Sequence, residues 1–132
     1  MSTVKYSGEL RTEAVHLKSG KEIVTDAPVD NNGKGEAFSP TDLVSTALVS
    51  CMMTIMGIEA RKENIELAGL SAEVTKLMKA DPRRIGKIRI EFQWESPQGT
   101  EEQIEKLKQA ALTCPVALSL DPALTQEVNF NF

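Results

Sequence analysis

Residues 39–58 read SPTDLVSTALVSCMMTIMGI, and within this run no charged side chain follows Asp42. Ser39 can cap a helix, Pro40 favours its first turn, and the carboxylate of Asp42 can reach back to the chain before it. A helix that is apolar on every side is typical of a protein core or a bilayer. With its several Ser and Thr residues, the run is too short to cross about 30 Å of hydrocarbon. The sequence therefore predicts a buried central helix, with Cys51 near its middle.

The composition is that of an ordinary globular protein. The chain has 132 residues, of which 41% are hydrophobic and 26% charged, and its formal net charge is -4. A chain of this length can form one hydrophobic core, so we expect a single domain over residues 1–132. An acidic balance offers no basic surface for nucleic acid or for a membrane of anionic lipid, and we expect neither partner. The opening residues MSTVKYSGEL lack the apolar segment of a secretory signal, which favours a cytoplasmic location.

Strand-like segments precede the predicted central helix. Three short runs, Val4–Tyr6, Leu10–Leu17 and Glu22–Val24, are separated by Ser-Gly turns. Short runs with turns between them indicate an antiparallel meander. The polar segment Asp26–Gly35, with its Pro and Gly residues, is predicted to form a loop that leads to the central helix.

A second group of elements follows the central helix. Apolar and polar residues alternate over residues 70–75, 87–94 and 128–132, so each of these strands is expected to bury one face. Thr100 and Gln103 form the pattern of a capping box in front of an amphipathic helix. A sheet with one apolar face needs a cover, and the charge-free helix is the expected one.

The two cysteines, Cys51 and Cys114, are the residues most open to chemistry. With the single histidine, His16, they cannot form a four-ligand zinc set, and we expect no metal or other cofactor. Two inert, buried thiols are the common case for such residues. Cys114, however, precedes Pro115 at a predicted helix start, where free amides favour a thiolate, so it is either ionisable or a helix cap. His16 is expected on the surface of a strand.

Two segments taken together are similar to those of a known family. The first is SPTDLVSTALVSC, a cysteine inside an apolar helix that starts at Ser-Pro, and the second, much later, is TCPVALSL. With these segments and the same order of elements, the chain resembles the OsmC/Ohr family of thiol-dependent hydroperoxide reductases along nearly its whole length. The resemblance implies an α+β fold in which antiparallel sheets wrap a long buried central helix. It also implies an intertwined homodimer with its active site at the dimer interface.

The resemblance implies a role for each thiol. Cys51 matches the peroxidatic cysteine, whose thiolate attacks the O–O bond of an organic hydroperoxide and becomes a sulfenic acid. Cys114 matches the resolving cysteine, which captures the sulfenic acid as a disulfide. An external dithiol, of lipoyl type in the family, then reduces this disulfide.

The family also places an arginine from the N-terminal part of the chain over the peroxidatic sulfur. Arg11 is the only arginine before the central helix, and the resemblance therefore assigns it this role. A guanidinium stays charged when partly buried, so it can stabilise a thiolate. The alternative is a surface strand arginine that pairs with Glu9 or Glu13.

One position departs from the family pattern. The glutamate that holds the arginine, ten residues before the peroxidatic cysteine, is replaced by Thr41. Asp42 is the next residue, but one step along a helix turns a side chain by about 100°. Glu36, in the preceding loop, is a second candidate, and the absence of any such carboxylate is the third possibility.

The side chains around Cys51 bear on the substrate. Met52, Met53 and Met56 are expected mainly in the core. If some of them line a pocket, that pocket would prefer an apolar organic hydroperoxide. The rival interpretation is a redox sensor or apolar small-molecule-binding protein on the same scaffold, without peroxidase turnover.

Overall fold

The computed structural model describes all 132 residues. The chain divides into two compact units, which we call the N-terminal unit, Met1–Val44, and the C-terminal unit, Ser45–Phe132. The prediction of one domain over the whole chain stays a prediction. The elements in chain order are β1 (Ser2–Gly8), β2 (Arg11–His16), β3 (Glu22–Asp26), α1 (Pro40–Lys62), β4 (Leu70–Lys79), β5 (Arg84–Trp94), α2 (Glu101–Leu112), α3 (Pro115–Ser119) and β6 (Thr125–Asn131).

The N-terminal unit contains the predicted meander. Strands β1, β2 and β3 form an antiparallel sheet in sequential order. The turn between β1 and β2 places Glu9 and Leu10 at φ values of 51° and 62°. The predicted loop after β3 contains one short 3-10 helix, Val29–Asn31. Both the antiparallel meander and the loop are thus confirmed, although β1 and β3 are longer than predicted.

The sheet of the C-terminal unit differs from the expectation in one pair of strands. Strands β4 and β5 are antiparallel, but β5 and β6 are parallel, with Phe92 opposite Phe130. The chain passes through α2 and α3 between β5 and β6, and such a crossover lets it return in the same direction. The prediction of purely antiparallel sheets is therefore wrong for β6.

The predicted alternation along the strands is confirmed. In β5, Ile88, Ile90 and Phe92 are fully buried and Trp94 is almost so, whereas the residues between them are more exposed. Strand β4 alternates in the same way. A strand with this period presents one face to the core and the other to solvent.

Helix α1 begins as the sequence predicts. The backbone N–H of Ser39 donates to Oδ2 of Asp42 at 2.8 Å, and the N–H of Asp42 donates to Oγ of Ser39 at 3.0 Å. These two bonds form a capping box. Beyond the other end, Asn64 has a left-handed φ of 55°, a conformation that is common just after the end of a helix.

Only one face of α1 is buried within the chain. Ile58 is 48% exposed, so the prediction of a helix buried on every side is wrong for a single chain. With 23 residues and a mean hydropathy of 1.7 in its most apolar window, α1 could also cross a bilayer by length and composition alone. The expectation that it is too short is therefore wrong too. Core helices have the same properties, and the buried face of α1 comprises Ser45, Leu48, Val49, Met52, Met56 and Ala60.

Helix α2 completes the core of the C-terminal unit. Its capping box is confirmed, because Thr100 and Gln103 exchange side-chain and backbone hydrogen bonds. Leu107 and Ala111 are fully buried, and Ile104 packs partly buried against the same core. The apolar core lies entirely within the C-terminal unit and consists of Leu48, Val49, Met52, Met56, Ala60, Ile65, Ile88, Ile90, Phe92, Trp94, Leu107, Ala111, Cys114 and Ala117.

Candidate thiol site and arginine cluster

The C-terminal unit brings the two cysteines together. Cys51 lies in the middle of α1 and is partly buried, and Cys114 is fully buried immediately before α3. Both thiols are free; Cys51 packs against the core that contains Cys114 and is near enough to raise the pKa of the Cys114 thiol. Two neighbouring thiols can react with each other when one of them is oxidised.

Cys114 is the N-cap of α3. It has extended backbone angles, Pro115 follows at the first helical position, and the N–H of Ala117 donates to Sγ of Cys114 at 3.4 Å. Burial raises the pKa of the Cys114 thiol, the bond from Ala117 opposes this, and the neighbouring Cys51 raises it further. The sequence left open whether Cys114 is an ionisable thiol or a helix cap, and the structure shows the helix cap. In the resting protein Cys114 is a neutral thiol.

Arg11 is held by two carboxylates in the N-terminal unit. Its Nε lies 2.7 Å from Oδ1 of Asp26, and its Nη2 lies 2.8 Å from Oδ2 of the same residue. Nη2 also donates to Oε2 of Glu36 at 3.1 Å. Glu9, which the sequence offered as a surface partner, pairs instead with Lys34. The alternative of a surface arginine paired with Glu9 or Glu13 is therefore wrong, since Arg11 pairs with Asp26 and Glu36.

Strand register explains the strongest of these contacts. Arg11 and Asp26 are directly opposite each other in the β2–β3 ladder. Side chains at opposite positions of an antiparallel pair are close enough to interact. Hydrogen bonds from Arg11 lower the pKa of Asp26 against an opposing effect of burial, and Asp26, with Glu36 as the smaller contributor, raises the pKa of Arg11. Both groups are therefore charged at neutral pH.

The structure answers which carboxylate holds Arg11. Glu36 is confirmed as a partner, whereas the carboxylate of Asp42 caps α1 by accepting from Ser39. Thr41 lies beside Ser39, with 3.1 Å between the two hydroxyl oxygens. Asp26, the partner with two bonds, was not anticipated, because only the register of β2 and β3 places it opposite Arg11.

The other sequence candidates have structural roles. His16 is exposed at the end of β2, and its Nδ1 lies 2.6 Å from Oγ of Ser19, which confirms a surface strand residue. Met52 and Met56 are fully buried and Met53 packs against the core, as predicted. No group of three or more His, Cys, Asp or Glu side chains comes together as a metal site.

The three predicted site residues thus belong to different units. Cys51 and Cys114 are both in the C-terminal unit, and Arg11 is part of the N-terminal unit. The catalytic roles assigned to these three residues by resemblance stay predictions.

The comparison with protein families identifies the chain. The family described as OsmC-like protein matches residues 33–129, which include all of α1, both cysteines and most of β6. The chain belongs to the OsmC-like protein family. Its α+β architecture with two sheets is shared by solved structures of this family. No match is found among functionally curated proteins.

Several solved structures are similar over nearly the whole chain. One, from Psychrobacter arcticus and named for an osmotic stress induced and detoxification response, is 52% identical, with a TM-score of 0.93 over 98% of this chain and 94% of that one. An organic hydroperoxide resistance protein OsmC from Legionella pneumophila is 14% identical, with a TM-score of 0.77 over 100% and 96%. A proposed organic hydroperoxide resistance protein from Vibrio cholerae, with captopril bound in one of its active sites, is 16% identical, with a TM-score of 0.75 over 99% and 91%. At these low identities the last two share the fold.

Proposed function

We propose that this OsmC-like protein is a thiol-dependent peroxidase that reduces organic hydroperoxides. The observation that carries the proposal is that Cys51 packs against the core that contains Cys114, near enough to raise its pKa, in a chain of this family. Two relatives of the same fold are named for organic hydroperoxide resistance. A redox role agrees with this placement of the thiols, because a reactive sulfur needs a second thiol nearby to form a disulfide.

The difference in exposure supports the two proposed roles. Cys51 is only partly buried, so it is the thiol that a peroxide can reach, whereas Cys114 is fully buried with a raised pKa. The Cys51 thiolate attacks one oxygen of the hydroperoxide, the O–O bond breaks, and the other oxygen leaves as an alcohol after taking a proton. The oxidised sulfur is then a sulfenic acid, and the neighbouring Cys114 can react with it.

The second step forms the disulfide. The sulfur of Cys114 loses its proton and attacks the Cys51 sulfur, and the sulfenic oxygen leaves as water. Because the pKa of Cys114 is raised, this step depends on an acceptor for the Cys114 proton, which is either a base or the leaving hydroxide that becomes water. An external dithiol, which we propose to be of lipoyl type, then reduces the disulfide and is itself oxidised.

Arg11 has the third role in the proposal. A thiolate among apolar side chains is unstable unless a positive charge supports it. We assign this support to Arg11, whose guanidinium is kept charged by Asp26 and Glu36. The apolar core against which Cys51 packs favours an organic hydroperoxide over hydrogen peroxide.

We further propose that the protein acts as a homodimer. The meander of the N-terminal unit leaves large apolar side chains exposed in the single chain, which is uncommon for a monomer. A second copy of the chain is the simplest cover for them. The exposed apolar residues of this unit include Val4, Tyr6, Leu10, Leu17, Ile23, Val24, Val29 and Phe38.

The decisive experiment measures peroxide consumption with excess dithiol. The wild type should consume many equivalents of cumene hydroperoxide per chain, and Cys51→Ser should consume none above background. Cys114→Ser should still consume the first equivalent at a rate within about twofold of the wild type, because the resolving thiol acts only afterwards. Mass spectrometry after one equivalent should show a Cys51–Cys114 disulfide in the wild type alone.

Two outcomes would overturn the proposal. If Cys51→Ser consumes peroxide as fast as the wild type, Cys51 is not the reactive thiol. If the wild type stops after about one equivalent per thiol pair while dithiol is present, the protein is the redox sensor of the rival interpretation, since a sensor reports oxidation without turnover. Alkylation of Cys51 before the assay serves as a chemical control on the same sulfur.

A further inference from the structure

We propose that Asp26 is the positioning residue for Arg11 and takes the place of the carboxylate that Thr41 does not provide. This inference rests on the proposed peroxidase function, because it concerns how the supporting cation of that reaction is held. Asp26 itself touches no reacting atom. It acts through the guanidinium, by fixing both the plane of the guanidinium and its direction.

The geometry of the ion pair fixes the orientation of Arg11. Asp26 accepts from Nε at 2.7 Å and from Nη2 at 2.8 Å, so each carboxylate oxygen meets its own donor. Such a bidentate pair holds the guanidinium plane, which a single contact cannot do. The pair uses the Nε edge and leaves Nη1 outside it. Nη1 therefore keeps its donors for another anion, such as a thiolate.

Asp26 is itself rigidly placed. Its side chain is 1% exposed, and its Oδ2 also accepts the backbone N–H of Glu36 at 3.1 Å. Its own backbone N–H donates to the carbonyl oxygen of Phe38 at 3.1 Å. A charged group with these bonds has little freedom to move, which is what a positioning residue requires.

Glu36 is the weaker of the two partners. Its side chain is 68% exposed and reaches Arg11 through one contact at 3.1 Å. An exposed ion pair of this kind contributes little and is screened by salt. The inference is therefore assigned to Asp26, and Glu36 provides an internal comparison.

The test compares Asp26→Asn with the same kind of substitution at two carboxylates that do not form a bidentate pair with Arg11. With cumene hydroperoxide and excess dithiol, Asp26→Asn should lower kcat/KM by about 10- to 100-fold, because a misplaced catalytic group costs about this much. Glu36→Gln should lower it by less than about threefold, as expected of an exposed pair. Glu13→Gln, which removes an exposed carboxylate from the same strand as Arg11, should leave kcat/KM unchanged.

A double-mutant cycle separates positioning from loss of structure. Arg11→Lys keeps the charge but loses the bidentate fork, so it should reduce kcat/KM about as much as Asp26→Asn. If Asp26 acts through Arg11, adding Asp26→Asn to Arg11→Lys should change kcat/KM by no more than about twofold. The pH profile of Cys51 alkylation, measured without peroxide, should move to higher pH in both single variants, whereas a purely structural defect would not move it.

Three results would overturn the inference. The first is a normal kcat/KM for Asp26→Asn while Arg11→Lys is impaired. The second is full additivity of the two substitutions in folded protein, as judged by circular dichroism. If Asp26→Asn does not fold, Arg11→Lys is tested alone. The third overturning result is then an unchanged kcat/KM for Arg11→Lys. Loss of turnover in the wild type itself would instead refute the proposed function.

Discussion

The two units of this chain bury different kinds of residue. The C-terminal unit contains the entire apolar core, including the fully buried Phe92 and Cys114. In the N-terminal unit the buried residues are Thr25, Asp26 and Ser39, all of them polar. The C-terminal unit is therefore stabilised mainly by the hydrophobic effect, and the N-terminal unit by backbone ladders, ion pairs and caps.

This difference matters for the proposed chemistry. An apolar core can hold two thiols near each other, but burial raises the pKa of a thiol, as it does for Cys114. The N-terminal unit supplies the opposite property, since its Asp26 keeps Arg11 charged and fixed. The C-terminal unit thus contains the two thiols, and the N-terminal unit contains a cation whose position does not depend on apolar packing.

The largest expected effect tests the core directly. Phe92→Ala removes a fully buried ring that stacks on Phe130 with 5.1 Å between centroids. It should lower the free energy of unfolding by about 3 to 5 kcal/mol, because a large cavity remains. Phe38→Ala makes the same chemical change in the N-terminal unit, where the ring is 56% exposed, and should cost about 0.5 kcal/mol. Urea unfolding of both variants measures the difference.

A different result would change the comparison in a defined way. If Phe38→Ala costs as much as Phe92→Ala, the Phe38 ring is buried in solution. Analytical ultracentrifugation of the same variant then shows whether a second copy covers it, because loss of that contact would shift the protein towards monomer. Equal small costs for both would contradict the assignment of the core.

The features that the sequence predicted well depend on neighbouring residues. The caps at Ser39 and Thr100 and the N-cap at Cys114 each involve residues within three positions of one another. The alternation in β4 and β5 is a property of the strand itself. Local hydrogen bonding and strand period act over a few residues, so they can be predicted without knowledge of the fold.

The features that it missed depend on residues far apart in the chain. Asp26 meets Arg11 only through the register of β2 and β3, and 15 positions separate the two residues. The parallel pairing of β6 depends on the path through α2 and α3. The apolar sequence of α1 could not show which face of the helix is exposed in the single chain. Tertiary contacts decide all three.

A smaller effect concerns how acid acts on the two units. The pKa of Asp26 is lowered by Arg11, so this pair stabilises the folded protein above the unfolded pKa of Asp, about 3.9. The stabilisation is lost as the pH falls through the lower, folded pKa. Asp26→Asn should therefore flatten the decline of stability in acid. Thermal melting at a series of pH values from neutral downwards measures this slope.

Glu127 provides the matched comparison in the C-terminal unit. Lys87 and Arg89 lower its pKa, but its side chain is 32% exposed, against 1% for Asp26. Solvent screens a pair of this kind, so Glu127→Gln should flatten the acid slope less than Asp26→Asn does. If Glu127→Gln flattens the acid slope more than Asp26→Asn does, the buried Arg11–Asp26 pair contributes no more to stability than the more exposed pairs of Glu127.

The smallest expected effect compares the two capping boxes. Thr100 is exposed at the start of α2, and Thr100→Ala should lower the free energy of unfolding by about 1 kcal/mol. The cost is small because the Gln103 amide can then donate its hydrogen bond to water. Ser39 is 1% exposed at the start of α1, so Ser39→Ala removes the buried hydroxyl oxygen that accepts from the Asp42 amide and should cost about 2 kcal/mol. Urea unfolding resolves this difference. A larger cost for Thr100→Ala would mean that polar burial contributes less to the N-terminal unit than its buried residues indicate.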